Sequence, residues 1–478
     1  MKREAWLRLA ALAAGIAVLI PTAGCADGGG DDEWKPVPSG AQEKKLLKVV
    51  YSSEAAFYND YGNLFLTKYP DAEFQVLTLS ETRGEGDAID HYRKIIEERQ
   101  PDVLLLDENQ YEALAQEGRL LDLEAPIRDS SFDAENLLPG VVDLLKERGG
   151  GRLYGLANTF ETKALYYNKR LFDRYGVSYP QEGMSWDELL LLAKKFAAGE
   201  KDKDKVYGLS QSMIAANPFA LVMDIAESRR LAFLNPEGTA LRLDSEEWAN
   251  AFAQAVEGYR DGSLLLPSSP FGNGNMTVSL GGGSFMEGNA AMAIDDLLTM
   301  QLLDAMKPAN SGSGNGPRDF PWGIAPMPAD PREPGATTAF SLPEIYAVGA
   351  ETGEKALAWE FVRYIHSEEF MRLKAKSSAK LLARKGFERD AKGRDLSAFY
   401  ALRPDPSFRR PLVPKGFPES FRKLAEEETR AAVSGAKTNE EAWASLTARA
   451  QQAFGEALLS KEKEPLDVAG TNAMISVD

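Results

Sequence analysis

Residues 153–169 read LYGLANTFETKALYYNK, and this stretch carries the clearest structural signals in the chain. Its first part, 155–159, is small and polar, which is typical of a flexible segment with exposed backbone donors. Its second part, 164–167, is a short apolar and aromatic run that predicts a buried strand. Further on, Ser185 and Glu188 have capping-box spacing before an apolar run, which predicts a helix start, and Thr438 and Glu441 predict a second capping box near the C-terminus. The stretch therefore predicts a chain crossing, then a core strand, then a capped helix.

The length and charge of the chain limit the classes of protein to consider. The 478 residues are too many for one ordinary hydrophobic core and fit two lobes. Hydrophobic content of 44% and charged content of 27% are ordinary for a globular protein. The net charge of −17 would repel nucleic acid and anionic lipid. We therefore expect no nucleic-acid partner, and any membrane attachment should come from a tether rather than a basic face.

The cysteine and histidine counts exclude several kinds of site. The single cysteine, Cys25, makes an intramolecular disulfide impossible. The two histidines, His91 and His366, are too few for a histidine-rich metal site, so we predict no metal and no cofactor. A Ser-His triad would have to use one of these two. Both lie in helical patterns beside charged residues, which predicts that both are surface residues.

The first 24 residues have the pattern of a targeting segment. Basic residues at 2, 3 and 8 precede an apolar core, and small residues lead to Cys25. This resembles a lipoprotein signal peptide, which implies lipidation of Cys25, although Thr22 stands where leucine is usual. The alternative is an ordinary secretory signal that is cut nearby. Residues 25–45 are glycine-rich and polar and predict a flexible spacer, and no later run is long and apolar enough to span a bilayer.

Strand and helix patterns alternate after the spacer. Short apolar runs at 46–51, 74–77 and 103–106 predict strands, with helical spacing between them. This alternation predicts an α/β fold with a mostly parallel sheet. Ligands of such sheets lie beyond the carboxyl ends of the strands. The predicted ligand-binding residues of this first part are Ser53, Glu54, Glu81 and Asp107.

Several strings in order resemble the maltose-binding-like extracellular solute-binding proteins, the ligand-capturing subunits of ABC importers. They include the crossing at 153–189, FMEGNAAMAI at 285–294, WGIAPMP at 322–328 and ALAWEFVRYI at 356–365. The resemblance implies a two-lobed, periplasmic-binding-protein-like α/β fold, with a mostly parallel, helix-flanked sheet in each lobe and a hinge between them. It places lobe 1 at 46–156 and 327–368, and lobe 2 at 157–326 and 369–478.

The same resemblance implies a ligand site in the cleft, usually for an oligosaccharide. Sugars need aromatic faces for their rings and polar groups for their hydroxyls. The family commonly has Gly-x-Trp where this chain has Asp295-Asp296-Leu297-Leu298, and none of the seven tryptophans is an obvious platform. Phenylalanines at 160, 219, 271 or 340 could substitute. The other predicted ligand-binding residues are Asn158, Phe160, Asn217, Asp295, Asp296, Phe340 and Ser341.

Each of these residue types also has an ordinary structural use. Ser53, Glu54 and Asp107 could be helix caps or solvated charges. Phe160 and Phe340 could be core residues. Two acids at a strand end, Asp295 and Asp296, favour the cleft interpretation.

Three functions are compatible with these features. The leading hypothesis is a monomeric, lipid-anchored, extracytoplasmic receptor that captures a small molecule, delivers it to ABC permease subunits and has no catalytic activity. A receptor that presents its ligand to a sensor kinase would have the same sequence features. A glycosidase with two carboxylates is the third, but no nucleophile elbow, HExxH or redox cysteine motif is present.

Overall fold

The computed structural model describes residues 45–78, 88–196, 205–211, 217–267, 285–305, 320–376, 380–460 and 463–465. The predicted signal peptide, Cys25, the spacer up to residue 44, Glu81 and Phe271 lie outside these described residues. Within the described ranges, no helix has the length and apolar character needed to cross a membrane.

Fifteen strands and sixteen α-helices form the described part of the chain. The strands are β1 Lys45–Tyr51, β2 Ala72–Thr78, β3 Val103–Leu106, β4 Gly155–Leu156, β5 Thr159–Phe160, β6 Ala164–Asn168, β7 Tyr207–Ser210, β8 Ala290–Asp295, β9 Trp322–Pro326, β10 Ala336–Thr337, β11 Ile345–Val348, β12 Leu381–Leu382, β13 Arg403–Pro404, β14 Leu412–Pro414 and β15 Lys463–Pro465. The helices are α1 Glu54–Phe57, α2 Asn63–Lys68, α3 Ala88–Arg99, α4 Glu108–Gln116, α5 Glu124–Asp129, α6 Pro139–Arg148, α7 Lys169–Tyr175, α8 Trp186–Lys194, α9 Ala220–Ser228, α10 Glu246–Asp261, α11 Leu297–Ala305, α12 Lys355–Ile365, α13 Glu368–Lys374, α14 Ser397–Tyr400, α15 Phe417–Ser434 and α16 Asn439–Leu458.

The first sheet has five strands in the order β2-β1-β3-β11-β4. Strand β1 pairs in parallel with β2 and β3, as the alternation of strands and helices predicts. Strand β11 pairs antiparallel with β3 and β4, and Ile345 at its start lies opposite Leu106 at the end of β3. The strand β11 therefore enters the sheet from the edge at which β1, β3 and β4 end.

The second sheet has four strands in the order β7-β8-β6-β9. Only β7 and β8 pair in parallel, whereas β6 is antiparallel to both β8 and β9. The predicted α/β architecture with mostly parallel sheets is confirmed, and one strand in each sheet runs against the others, β11 in the first and β6 in the second. The reason is that β6 and β11 are the first sheet strands after a chain crossing, so each starts at the edge where its neighbours end.

Two hydrophobic cores surround the two sheets. The first is built on side chains such as Val49, Phe57 and Ala347, and the second on side chains such as Phe172 and Trp248. The tail contributes to both cores. Buried side chains between 370 and 399 pack in the first core, and those between 413 and 454 pack in the second. The lobe boundaries drawn from the sequence remain a prediction.

The two capping boxes predicted from the sequence are confirmed. Ser185 accepts a hydrogen bond from the Glu188 amide, and the Glu188 carboxylate accepts one from the Ser185 amide. Thr438 and Glu441 make the same reciprocal pair at the start of α16. These short-range signals work because both partners lie within one helical turn, so no tertiary contact is needed.

We expect Gly208→Ala to destabilise the protein by about 3 kcal/mol, because overpacking a close backbone contact forces the chain to move. A Cβ at residue 208 in β7 would lie 2.0 Å from the Ala193 carbonyl oxygen at the end of α8. The matched control is Gly455→Ala in α16, where a Cβ meets no atom within 4 Å. That control should stabilise the protein by up to about 1 kcal/mol. Urea unfolding of both variants checks the pair, and equal effects would contradict the close contact.

The prediction that His366 is a surface residue is wrong. His366 is fully buried at the end of α12, and its Nδ1 lies 2.7 Å from the Val362 carbonyl oxygen. Burial lowers the pKa of the imidazole from 6.5 to about 4, so the ring is neutral at neutral pH. The helical spacing of the neighbouring charges gave no sign of this, because His366 follows the apolar face of α12 and turns inward with it.

We expect His366 to make stability depend on pH between about 6.5 and 4. The unfolded chain binds a proton in this window and the folded chain does not, so stability falls as the pH falls. The loss between pH 7 and 5.5 should be about 1 kcal/mol, and it should be absent in His366→Gln. Proton NMR of the His91→Asn variant leaves only the His366 signal. Movement of that signal between pH 8 and 5.5 would contradict the buried, neutral ring.

Candidate functional site

Two sheet edges face each other across the segment that joins them. At the first edge, β1 and β3 end and β11 begins, and at the second edge, β8 and β9 end and β6 begins. Residues 157–163 run from the end of β4 to the start of β6. Polar residues flank these strand ends, which is the position at which ligands of open α/β sheets bind.

Glu161 lies in the middle of this crossing segment. Its backbone amide donates to the Ser341 carbonyl at 3.0 Å and its carbonyl accepts from the Ser341 amide at 2.9 Å. This pair ties two crossing segments together and fixes the position of the Glu161 side chain, which is exposed to solvent. The surrounding protein removes part of the hydration of the carboxylate and raises its pKa, while Lys380 opposes this effect and Asp296 and Glu344 add to it.

Glu344 and Lys380 lie on the first-sheet side of Glu161. Glu344 directly precedes β11, and its carboxylate contacts Lys380 Nζ at 2.5 Å. The other carboxylate oxygen accepts a hydrogen bond from the Thr159 hydroxyl at 3.3 Å. The Glu344 side chain is only 16% exposed and that of Lys380 is 41% exposed, so the pair borders the cleft with its cation toward solvent.

Lys163 lies on the second-sheet side of Glu161. Its Nζ pairs with Asp224 of α9 at 2.8 Å, and both side chains are about one-fifth exposed. Burial alone would lower the pKa of Lys163, but the Asp224 carboxylate outweighs burial and raises the pKa. Arg410 reaches the same region through Glu227 at 3.8 Å. We call Glu161, Lys163, Glu344 and Lys380 the crossing cluster.

A second polar group lies at the end of β1. The Tyr51 hydroxyl donates to Asp60 at 2.9 Å, and Lys374 Nζ contacts the same carboxylate at 3.3 Å. Lys374 also lies 5.6 Å from the centre of the Tyr61 ring. Asp60 and Tyr61 belong to a π-helical turn between α1 and α2, a local distortion that often occurs at functional sites. The turn positions these side chains beside the edge where β1 ends.

The predicted residues at the first edge have local structural roles. The Ser53 hydroxyl accepts from the Ala56 amide at 3.2 Å as the N-cap of α1. Asp107 forms a capping box with Gln110 at the start of α4. Glu54 is exposed in the first turn of α1. The cap alternative is therefore confirmed for Ser53 and Asp107, and a ligand contact by any of the three remains a prediction.

Four predicted residues lie in or beside the crossing segments. Asn158 is 3% exposed and donates to the Ile365 carbonyl at 3.3 Å. Phe160 and Phe340 stack on each other with centroids 4.9 Å apart and planes 8° apart, and both are buried. The alternative that Phe160 and Phe340 are core residues is confirmed, because both rings are buried. Ser341 contributes its backbone to the pair with Glu161.

The remaining predicted residues lie at the second edge. Asn217 joins α9 to α15, since its side chain accepts from the Phe219 amide and donates to the Arg422 carbonyl. Asp295 is 6% exposed and accepts from the Asp296 amide and the Thr299 hydroxyl. Asp296 is half-buried, accepts from the Leu298 amide and lies close enough to Glu161 to influence its pKa.

The residues of the crossing cluster were not predicted from the sequence. A usable signal existed for Glu161 and Lys163, because two charged residues flank Thr162 directly before a buried strand. No comparable signal existed for Glu344 and Lys380. They are 36 residues apart and meet only because β11 and the tail return to the same edge. Among the described residues, no group of three or more metal-ligating side chains is placed to hold a metal ion.

Comparison with known proteins gives the family. Residues 34–371 match the model of the bacterial extracellular solute-binding proteins, which is more than half of the chain. The chain belongs to this family. A protein of Brucella abortus (strain 2308), described as a binding protein, is 26% identical over 290 residues, or 58% of this chain. This solute-binding protein spans about three fifths of the length of the curated relatives it matches, 61% for that protein.

Solved structures share the fold of this solute-binding protein. UspC of Mycobacterium tuberculosis has a TM-score of 0.61 at 18% identity, with 85% of this chain and all of that chain covered. The sugar-binding protein MalE of Xanthomonas citri has a TM-score of 0.59 at 17% identity, with 87% and 99% covered. Lmo0181 of Listeria monocytogenes, in complex with cycloalternan, has a TM-score of 0.54 at 20% identity, with 86% and 100% covered. The two-lobed α/β fold and the family resemblance predicted from the sequence are confirmed.

Proposed function

We propose that this protein captures a small molecule, most simply an oligosaccharide, in the cleft at the crossing cluster and delivers it to an ABC importer. The observation that carries the proposal is Glu161, an exposed carboxylate held on a hydrogen-bonded crossing segment between two sheets. The protein acts as an extracytoplasmic receptor that binds and releases its ligand without chemistry. Its partners are the ligand and the permease subunits of the importer, and it works as a monomer.

The chemistry of the crossing cluster supports a saccharide. Carboxylates accept hydrogen bonds from sugar hydroxyls and ammonium groups donate to them, so alternating charges suit a ligand with many hydroxyls. Glu161, Glu344 and Lys380 supply both kinds of group within one segment of the cleft. Solved relatives of the same fold are described as sugar-binding or hold a saccharide, which favours the same class here.

Ligand capture should couple to movement of the lobes. The crossings at 157–163 and 327–344 are the places where rotation can occur, because each joins two separate sheets. A ligand that contacts both edges has higher affinity for a closed form, so it shifts the population toward closure. The docking of a closed form on the permease would then distinguish loaded from empty receptor.

Thermal unfolding of the full-length protein with a panel of mono- and oligosaccharides tests this function. A ligand at about a hundred times its dissociation constant adds roughly 2.7 kcal/mol of stability. For a protein of this size we expect the midpoint to rise by about 3 °C. A rise with one saccharide class supports capture. The absence of a rise with every saccharide would refute the saccharide class, and release of a cleaved product would refute binding without chemistry.

We also propose that Cys25 carries the lipid that anchors the receptor, with residues 25–45 as its spacer. Cys25→Ser should move nearly all of the protein from the membrane fraction to the soluble fraction, because one acylated residue supplies the attachment. Ser80→Ala is a matched control that leaves the proposed lipidation site intact. Retention of the Cys25→Ser variant in the membrane fraction would rule out this anchor.

A further inference from the structure

A cavity of about 460 Å³ lies between α11 and residues 375–376 and 380–400, which we call the tail segment. It adjoins the crossing cluster on two sides. Helix α11 begins directly after Asp296, and Lys380 lines the cavity while it pairs with Glu344. Tyr400 also lines it, and its ring packs edge-on against Phe160 at 5.1 Å, next to Glu161 in the chain. A ligand bound at the crossing cluster could therefore extend into this cavity.

The floor of the cavity is apolar and aromatic. Its lining side chains include Leu297 and Met300 of α11 and Phe387 and Leu396 of the tail segment. The half-buried Tyr400 ring is fixed there, because its hydroxyl donates to the Leu382 carbonyl at 3.2 Å. Such a floor suits the C–H face of a sugar ring, which packs on apolar and aromatic surfaces. The volume lies within the range of about 300–1,000 Å³ that small-molecule sites occupy.

The charge of the cavity is opposite to that of the whole chain. The protein has a net charge of −17, yet five basic and two acidic side chains line this cavity. Because salt screens charges beyond about 10 Å, the groups lining the cavity, rather than the net charge, set the potential that a bound ligand experiences. The basic side chains are Lys376, Lys380, Arg389, Lys392 and Arg394, and the acidic ones are Asp304 and Asp390.

Both acidic side chains are already paired with basic ones. Asp304 contacts Lys392 at 2.8 Å and Arg394 at 2.7 Å, and Asp390 contacts Arg394 through two guanidinium nitrogens. Burial alone would raise the pKa of each carboxyl, but the hydrogen bonds from these cations lower it, so both are ionised at neutral pH. Two basic residues, Lys392 and Arg394, therefore neutralise the two acids.

The remaining positive charge lies at the rim. Lys376 and Arg389 are exposed. Arg389 lies opposite Asp395, whose pKa is lowered by hydrogen bonds from Ser397 and also by the positive charge of Arg389, so part of that charge is already compensated. Arg389 is held in place by its Nη1, which donates to the Gly393 carbonyl at 2.9 Å. A guanidinium fixed in this way keeps other N–H groups for a planar carboxylate, which arginine binds in a bidentate manner.

We propose that this cavity binds a uronate residue of an acidic saccharide, with the ring on the apolar floor and the carboxylate at Lys376 and Arg389. The inference rests on the proposed function and names its ligand class. A carboxylate on a sugar ring satisfies both parts of the cavity, whereas a free inorganic anion would leave the apolar floor uncovered. The cavity thus selects a saccharide by charge, next to a cleft that recognises hydroxyls.

Isothermal titration of the full-length protein with matched saccharides tests the inference. We would compare digalacturonate with galactobiose, and cellobiouronate with cellobiose, because each pair shares ring and linkage and differs in the carboxylate. At low salt, at least one acid should bind about 10-fold more tightly than its neutral counterpart, and salt near 0.5 M should reduce this preference. Lys376→Gln combined with Arg389→Gln should remove the preference, so that each acid binds no more tightly than its neutral counterpart. Lys146→Gln on α6, far in sequence and outside the cavity, is the control.

The outcomes separate this inference from the proposed function. If neutral saccharides bind as tightly as both acids, the uronate inference is overturned and saccharide capture stands. The uronate inference is also overturned, and saccharide capture also stands, if the double variant keeps the full preference for the acid. The carboxylate would then bind at another place. If no saccharide of either kind binds, the saccharide class of the proposed function fails as well.

Discussion

Replacing Glu428 by alanine is expected to lower the free energy of unfolding by about 3 kcal/mol, because a buried carboxylate that accepts three hydrogen bonds is lost. Glu428 of α15 is fully buried, and three donors surround its carboxylate: Lys437 Nζ at 2.6 Å, the Ser445 hydroxyl at 2.7 Å and Arg449 Nη1 at 2.8 Å. Burial alone would raise the pKa of this carboxyl, but the three hydrogen bonds lower it. Alanine would remove the acceptor of Lys437, Ser445 and Arg449 and would leave a void between α15 and α16.

The neighbouring residue provides a matched control. Glu427 pairs with the same Arg449 at 2.9 Å, but its side chain is 61% exposed. Glu427→Ala should therefore cost less than about 1 kcal/mol. Guanidinium unfolding monitored by tryptophan fluorescence measures both variants, since Trp443 lies on α16 in the same core. Because the folded pKa of Glu428 is depressed, its contribution is present at neutral pH and is lost as the pH falls through the folded pKa. Equal costs for the two variants would contradict the buried network.

Replacing Glu161 by alanine is expected to weaken ligand binding by about 30-fold, using the saccharide that gives the largest thermal shift. Loss of a hydrogen bond to a charged group costs about 1.5–3 kcal/mol, and each 1.4 kcal/mol is tenfold in affinity. Glu161 is the exposed carboxylate at the centre of the crossing cluster, and its backbone is fixed by the pair with Ser341. Titration calorimetry of the full-length protein measures the effect, and Glu182→Ala, a change at another exposed carboxylate, is the control.

The unfolding midpoint of the protein without ligand shows whether Glu161 has a binding role or a structural one. The pKa of Glu161 is raised in the folded protein because the cleft disfavours its charged form. At neutral pH the ionised carboxylate therefore slightly opposes folding, and Glu161→Ala should leave the unfolding midpoint unchanged or slightly higher. A large drop in the midpoint would make Glu161 a structural residue. Unchanged affinity would place the ligand away from the crossing cluster.

The predicted site residues show which features can be read from neighbouring residues and which depend on contacts between residues far apart in the sequence. Ser53 and Asp107 were correctly placed at the ends of strands, and the same local pattern also explains why they cap the helices that follow. Phe160 and Phe340 were candidates for an aromatic ligand contact or for the core, but the sequence could not say that the two rings stack on each other. They are 180 residues apart, and only the fold brings them into contact.

The ion pairs of the site also could not be predicted from the sequence. The pairs Lys163–Asp224 and Lys380–Glu344 decide which groups line the cleft, and each joins separate elements of the chain. His366 was predicted at the surface and is buried, because the packing of α12 on the first sheet turns its last residue inward. The pKa of each group depends on these tertiary surroundings and not on its neighbours in sequence.

Sequence alone was enough to predict the first alternating strands and helices, the two capping boxes, the crossing at 153–169 and the family. These follow from periodicity, caps and short strings, which act over one or two turns of chain. Tertiary packing sets the one opposed strand in each sheet, the crossing cluster, the basic cavity and the burial of His366 and Glu428. Strand direction, burial and charge pairing depend on which distant segments of the chain meet, because the packing of the whole chain brings those segments together.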